Sequence, residues 1–288
     1  MIDIDRSIRI YELRIALDGW RAPAPGMIVV RHEVAQGIVY ALLRNADPVA
    51  TTAHHDAPTR KALSVGPVRV QPLPGGLASA TLRVASWSPP VTGLLAAAVE
   101  QASELRADLG GVPALLLDAA PVGAWSTADF LATPPLPIAR VRFETPTFFG
   151  FGQYQDGTHR AHALPDPGLV VAAWLRAWRL TGDATLDWLP TRPEDLSAVV
   201  GLSEVSGLRT VVVRERTAAL TGFVGECAFA WHGAAPAGRA ALTTLARFAG
   251  ICGTGAKTGR GFGQTTPLRP ALMPHPSEAP TVVGEVDQ

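Results

Sequence analysis

From Ile8 to Leu17 apolar and polar residues alternate, the two-residue period of a strand with one buried face. After a Gly/Pro-rich connection, Val30, Val34, Ile38, Ala41 and Leu42 recur at helical spacing. Glu33, Gln36, Tyr40 and Arg44 fall on the opposite face of that helix, so Tyr40 is expected to point away from the core. Ala62 to Gln71 and Leu77 to Trp87 predict two strands around a turn at Pro74, Gly75 and Gly76. Thr92 is a suitable cap for a second helix, which keeps Ala98, Ala102, Leu105 and Leu109 on one face until Gly110 and Gly111 stop it. Pro113 to Ala119 supplies a short final strand. The order is strand, helix, strand, strand, helix, strand, that of a ferredoxin-like unit.

The second half repeats the order without repeating the residues. A Pro-rich stretch, Thr133 to Pro137, reads as a linker, and a strand from Ala139 to Phe149 is followed by a polar loop holding His159, Arg160 and His162. Asp166 and Pro167 open a helix with Val171, Trp174, Leu175 and Trp178 on its buried stripe. Arg209 to Thr217 and Leu220 to Trp231 predict a hairpin whose second arm alternates through Phe223, Gly225, Cys227, Phe229 and Trp231. A last helix carries Leu242, Leu245, Ala246 and Ala249. The expected fold class is α+β: two tandem ferredoxin-like (RRM-like) βαββαβ domains over residues 1–132 and 139–269. Residues 133–138 would link them, and residues 270–288 would form a disordered tail, being rich in Pro, Glu and Ser with little to bury.

Composition narrows the classes. With 288 residues, 47% of them hydrophobic, the chain can bury two modest cores. Cys227 and Cys252 stand far apart in apolar surroundings, which argues against a disulfide framework or a cysteine-rich metal site and makes both small buried hydrophobes. The start of the chain lacks the apolar run of a signal peptide, and no stretch is long enough to span a bilayer, so a cytoplasmic protein with no membrane partner is expected. A net charge of zero gives no sign of a polyanionic partner, although a local basic surface is compatible with it. Of the 25 basic residues only Lys61 and Lys257 are lysines, and each falls in a segment that carries candidate chemistry.

One of these segments is a glycine-rich run from Gly250 to Gln264, in which Gly253, Gly255, Gly261 and Gly263 fit the pattern GxGxxxxxGxG. A Walker phosphate loop needs Gly-Lys-Thr in succession, but Ala256 stands between Gly255 and Lys257, and too little chain remains to build the sheet that would follow. A dinucleotide fingerprint opens the helix of a βαβ unit, whereas this run follows a helix and precedes the last strand. Glycine allows close approach of backbone to a ligand and leaves amide donors for phosphate oxygens, with Lys257 and Arg260 adding charge.

A glycine-rich loop after the last helix, with Lys257 and Arg260 in it, resembles the signature of the CRISPR repeat-associated RNA-binding superfamily, and within it the repeat-processing endoribonucleases. Arg142 to Phe149, Thr221 to Gly225 and Leu245 to Gly250 match as well, so the resemblance covers most of the second half. It implies a metal-independent cut in CRISPR repeat RNA, with no cofactor. The RNA's 2′-hydroxyl attacks the adjacent phosphate and leaves a 2′,3′-cyclic phosphate and a 5′-hydroxyl. It also implies RNA contacts at Gly253, Gly255, Lys257, Thr258, Arg260, Gly261 and Gly263, and a role in antiviral defence. A homodimer and association with other CRISPR effector-complex proteins are compatible with it.

Such a reaction asks for a base, an acid and a cation, tasks that suit histidine and lysine near neutral pH. The family places a histidine between the first helix and the next strand, where this chain has His54-His55-Asp56. His55 is the first choice as general base and His54 stays open as the alternative. By the same resemblance Tyr40 would orient or protonate, and Lys61 would neutralise the scissile phosphate. The chain departs from the family pattern in carrying two adjacent histidines, and Ala62 where an aromatic is common. Three consecutive residues cannot wrap a metal ion, which disfavours a His-His-Asp metal site. Further phosphate contacts are expected at Arg214 and Arg216, and at His159, Arg160 and His162.

Two other readings compete. A non-catalytic RNA-binding or scaffold subunit of the superfamily would share the glycine loop and lack the chemistry at His55. An ordinary two-domain RNA-recognition protein would expose aromatics on its sheet for base stacking, and Trp87 and Tyr154 are the only hints of that.

Overall fold

A computed structural model describes residues 7–17, 32–56, 62–66, 68–74, 78–102, 105–108, 113–153, 155, 159–214 and 219–268. Val30, Lys61, Gly75, Gly76, Leu109, Gly110, Gly111, Tyr154, Arg216, Thr217 and the tail from Pro270 lie outside the described residues.

The first half builds one antiparallel sheet. β1 (Ile8–Leu17) sits at its centre between β4 (Ala78–Ser86) and β6 (Pro113–Trp125). β2 (Leu63–Val65) and β3 (Arg69–Pro72) both pair with β4 on either side of Gly66, and β5 (Arg106–Asp108) pairs with β6. Helices α1 (His32–Ala46) and α3 (Pro89–Glu100) pack together and join the sheet in one core. The four long-range strands run β2/β3, β4, β1, β6, which is the ferredoxin-like order.

The same order recurs in the second half. β10 (Val200–Arg214), β11 (Ala219–Trp231), β7 (Ile138–Thr147) and β12 (Thr265–Leu268) form the second sheet in that sequence of neighbours. Its helices are α5 (Pro167–Arg179) and α7 (Ala237–Cys252). Asp166 caps α5 as its sequence predicts, its carboxylate accepting the Leu169 N–H at 2.9 Å, and Val171, Trp174, Leu175 and Trp178 are all buried. Cys227 and Cys252 are buried free thiols, and burial pushes Cys227 up to about 11.

Several expectations are corrected. α3 is capped at Ser88, with prolines in its first turn, while Thr92 is a buried residue inside it whose hydroxyl donates to the Ser7 carbonyl at 2.6 Å. That helix stops at Glu100, so Leu105 belongs to the segment leading into β5. β6 runs on to Trp125, beyond Ala119, because β1 offers it partners along its whole length. His159, Arg160 and His162 form strand β9 (His159–His162), which is paired with β8 (Phe149–Gln153). Three short helices have no apolar stripe to announce them: α2 (Pro48–Asp56), α4 (Thr127–Leu131) and α6 (Pro193–Ser197).

Trp87 is fully buried and therefore offers no stacking surface to a base. It meets Phe248 of α7 edge-on at 6.2 Å, and Phe248 in turn meets Phe130 of α4 and Trp178 of α5. The core of the second half thus takes in Ile8, Ile10, Ala85 and Trp87 from the first. Polar links reinforce this join: the buried Ser64 hydroxyl donates to the Ile251 carbonyl at 2.6 Å, and the half-buried Gln264 side-chain amide donates to the Val65 carbonyl at 2.9 Å.

Candidate functional site

The glycine loop leaves the end of α7 and returns into β12 through a 3₁₀ turn, Thr258–Arg260. Gly253, Gly255, Gly261 and Gly263 all have positive φ, as does Lys257 at 57°. At Gly255 and Gly263 close approach also matters: a Cβ would stand 2.3 Å from the Phe148 carbonyl oxygen and 1.9 Å from that of Thr254, respectively. The amides that the glycine pattern seemed to hold ready for phosphate are largely committed within the protein. Thr254 N–H donates to Gly263 O at 2.7 Å, Ala256 N–H to Phe148 O at 2.8 Å, and Gly263 N–H to Pro146 O at 3.1 Å. These glycines therefore shape and dock the loop.

Gly255→Ala is expected to lower stability by at least ~1–2 kcal/mol, the cost of a left-handed L-residue, before any clash is counted. Gly259→Ala, whose Cβ would meet nothing closer than the Leu63 carbonyl at 3.5 Å, serves as its control. Thermal denaturation of the two variants checks this, and equal melting points would contradict it.

The three segments matched to the family surround this loop. Phe143 of β7 and Phe223 of β11 pack edge-on at 4.9 Å, and α7 delivers the chain into the loop. Phe262 at the loop's far end is buried against Phe148 at 5.5 Å.

The turn at Thr258–Arg260 does not face open solvent alone but packs on β2 and α1 of the first half. Tyr40 lies there. Contrary to its place on the polar face of α1, it is only 6% exposed, because α2 and the glycine loop cover it from outside the first core. Burial holds its phenol above the usual range, against the opposing pull of the Arg260 guanidinium, so it remains an O–H donor at neutral pH.

His54 and His55 are the last-turn residues of α2, a helix started by Asp47, whose carboxylate accepts the Ala50 N–H at 2.9 Å. Both rings contact Tyr40: His54 stacks at 6.1 Å between centroids, and His55 meets it edge-on at 5.2 Å. They differ in access. His54 is half-buried with its Nε2 shielded, whereas the His55 side chain is 59% exposed and its Nδ1 lies 2.9 Å from Asp56 Oδ1. Asp56, the residue after His55 in the sequence, is thus the acid that the fold leaves against the His55 ring.

Elsewhere the two arginines of β7 are matched by acids. Arg140 pairs with Glu204, and Arg142 with Glu226 at 2.6 Å. Arg214 ends β10, and His159, Arg160 and His162 lie on β9.

A pair of ferredoxin-like sheets with a docked C-terminal glycine loop defines the class to which this architecture belongs. Residues 141–265 match the family model of the CRISPR-associated endoribonuclease Cas6. Among solved structures, a Cas6 product complex is 24% identical over 91% of this chain and 100% of that chain, with a TM-score of 0.70. Thermus thermophilus Cas6 is 23% identical, covering 91% and 99% at a TM-score of 0.60. A Cas6-related protein from Pyrococcus furiosus is 13% identical, covering 91% and 98% at a TM-score of 0.58. A search of curated proteins finds no match. Over residues 141–265 the chain is thus similar to the Cas6 endoribonucleases, and it shares their fold along most of its length.

Proposed function

We propose that this protein binds CRISPR repeat RNA and cuts it by attack of the RNA's own 2′-hydroxyl, without a metal ion. One observation carries the reading: His55 with Asp56, the buried Tyr40 phenol and the Arg260 end of the glycine loop meet at one place, although the loop lies some two hundred residues from the two helices. His55 Nε2 takes the 2′-hydroxyl proton while Asp56 steadies the ring through Nδ1. The 2′-oxygen then bonds to phosphorus and the bond to the 5′-oxygen breaks. That oxygen takes up a proton, supplied by the Tyr40 phenol, and a 2′,3′-cyclic phosphate is left.

Lys257 and Arg260 bind phosphates beside the turn, and Lys61 adds a further cation at the scissile group. Gly253, Gly255, Thr258, Gly261 and Gly263 act by fixing the loop that presents them. The domain limits set out above, 1–132 and 139–269 with a linker of 133–138, are kept as part of the proposal.

The test is cleavage of an RNA carrying one CRISPR repeat from the source genome, in EDTA, beside a copy whose sugar at the cut site is 2′-deoxy. The expected result is cutting of the ribose substrate in EDTA and none of the deoxy copy. Loss of cutting in EDTA that returns with divalent cation would refute the metal-free route, and cutting of the deoxy copy would refute 2′-hydroxyl attack. Tight binding with no cutting under any condition would favour the scaffold reading.

A further inference from the structure

The base of the glycine loop holds a chain of buried hydroxyls whose direction is fixed by chemistry. An indole can only donate, and Trp174 Nε1–H donates to Thr254 Oγ1 at 2.7 Å. At the other end, Thr265 Oγ1 donates to the Gly263 carbonyl at 2.9 Å. Of the two hydroxyls 2.7 Å apart between them, Thr254 must therefore donate and Thr265 accept. The Gly263 carbonyl also receives the Thr254 backbone N–H at 2.7 Å.

Each proton is used once, and the set closes a ring across the two ends of the loop. Trp174 and Thr254 are fully buried and Thr265 nearly so, which strengthens every link and makes a broken one costly. None of these groups reaches the rim of the loop, where Lys257 and Arg260 lie.

We infer that Trp174, Thr254 and Thr265 are positioning residues for RNA binding, clamping the neck of the glycine loop so that Lys257 and Arg260 meet phosphates in a fixed geometry. This rests on the function proposed above. The relay acts on affinity and not on the bond-breaking step, because it touches neither His55 nor Tyr40.

Thr254→Val keeps the side chain's shape and removes its hydroxyl, leaving the indole N–H buried without an acceptor. It is expected to weaken binding of the single-repeat RNA about tenfold, the equivalent of ~1.4 kcal/mol, with the cleavage rate at saturating RNA unchanged. Thr254→Ser, which restores the hydroxyl, is expected to restore affinity. Amides 255–262 should exchange hydrogen faster in the valine variant, and Thr265→Val, which cuts the second link, serves if that variant does not fold.

Wild-type affinity in the valine variants overturns the inference, as does a fall in saturated rate with affinity intact. If the wild type itself fails to bind the RNA, the functional reading falls first. Hydrogen exchange then judges the clamp alone, and unchanged exchange at 255–262 would dispose of it.

Discussion

His55→Ala is expected to slow repeat cleavage by about 10²–10⁴-fold, the usual worth of a positioned general base, while RNA affinity stays near that of the wild type. The choice of His55 over His54 is a matter of access. A base must reach a proton on the substrate, and His55 offers an exposed ring whose Nδ1 is already tied to Asp56 at 2.9 Å, which leaves Nε2 as the nitrogen to act as base. His54 presents a shielded Nε2 and a face stacked on Tyr40. Its replacement by alanine should cost less, by loosening the packing over the phenol. Asp56→Asn should fall between the two, since an amide can still contact the ring but no longer enforces the tautomer. Single-turnover kinetics on the three variants decides the matter. An active His55→Ala beside an inactive His54→Ala would move the base to His54, and full activity in both would remove the histidine pair from the mechanism.

The second large effect is on stability. Phe248→Ala is expected to cost ~3–5 kcal/mol, the range for deleting a buried aromatic. At about 2–4 °C per kcal/mol for a large domain, the melting point should fall by roughly 6–20 °C. Phe248 is fully buried, and its ring is met edge-on by Trp87 at 6.2 Å, Phe130 at 5.7 Å and Trp178 at 5.3 Å. Trp87 and Phe130 precede the linker and Trp178 follows it, so the cavity would open in the core that both halves share. One cooperative transition, shifted as a whole, is the expected calorimetric result. Two separated transitions of which only one moves would show that the halves melt independently.

What could be read in the sequence was read where a period was strong. β1, α5, α7 and β11 carry apolar residues at regular spacing that the fold buries, and their order yields the tandem ferredoxin-like plan. α2 escaped because it buries only Thr51, so no apolar stripe marks it. Its signal was local: Asp47 followed by Pro48, the same cap and first-turn pair that announced α5 at Asp166 and Pro167. Ser88 before Pro89 likewise outranked Thr92 as the cap of α3. β9 has no alternation of its own and exists through pairing with β8.

By itself the sequence determined the order of elements, the two cores and the residue types available for chemistry, because each depends on spacing within one segment. Tertiary structure decided what those residues face. Tyr40 stands on the polar side of its own helix and becomes buried only when α2 and the glycine loop close over it. The glycine loop reads as a run of open phosphate contacts, yet the Ala256 and Gly263 amides are given to Phe148 and Pro146, and Thr254 N–H closes the loop's neck on Gly263. Distances between segments far apart in the chain arise from packing, and no periodicity within either segment records them.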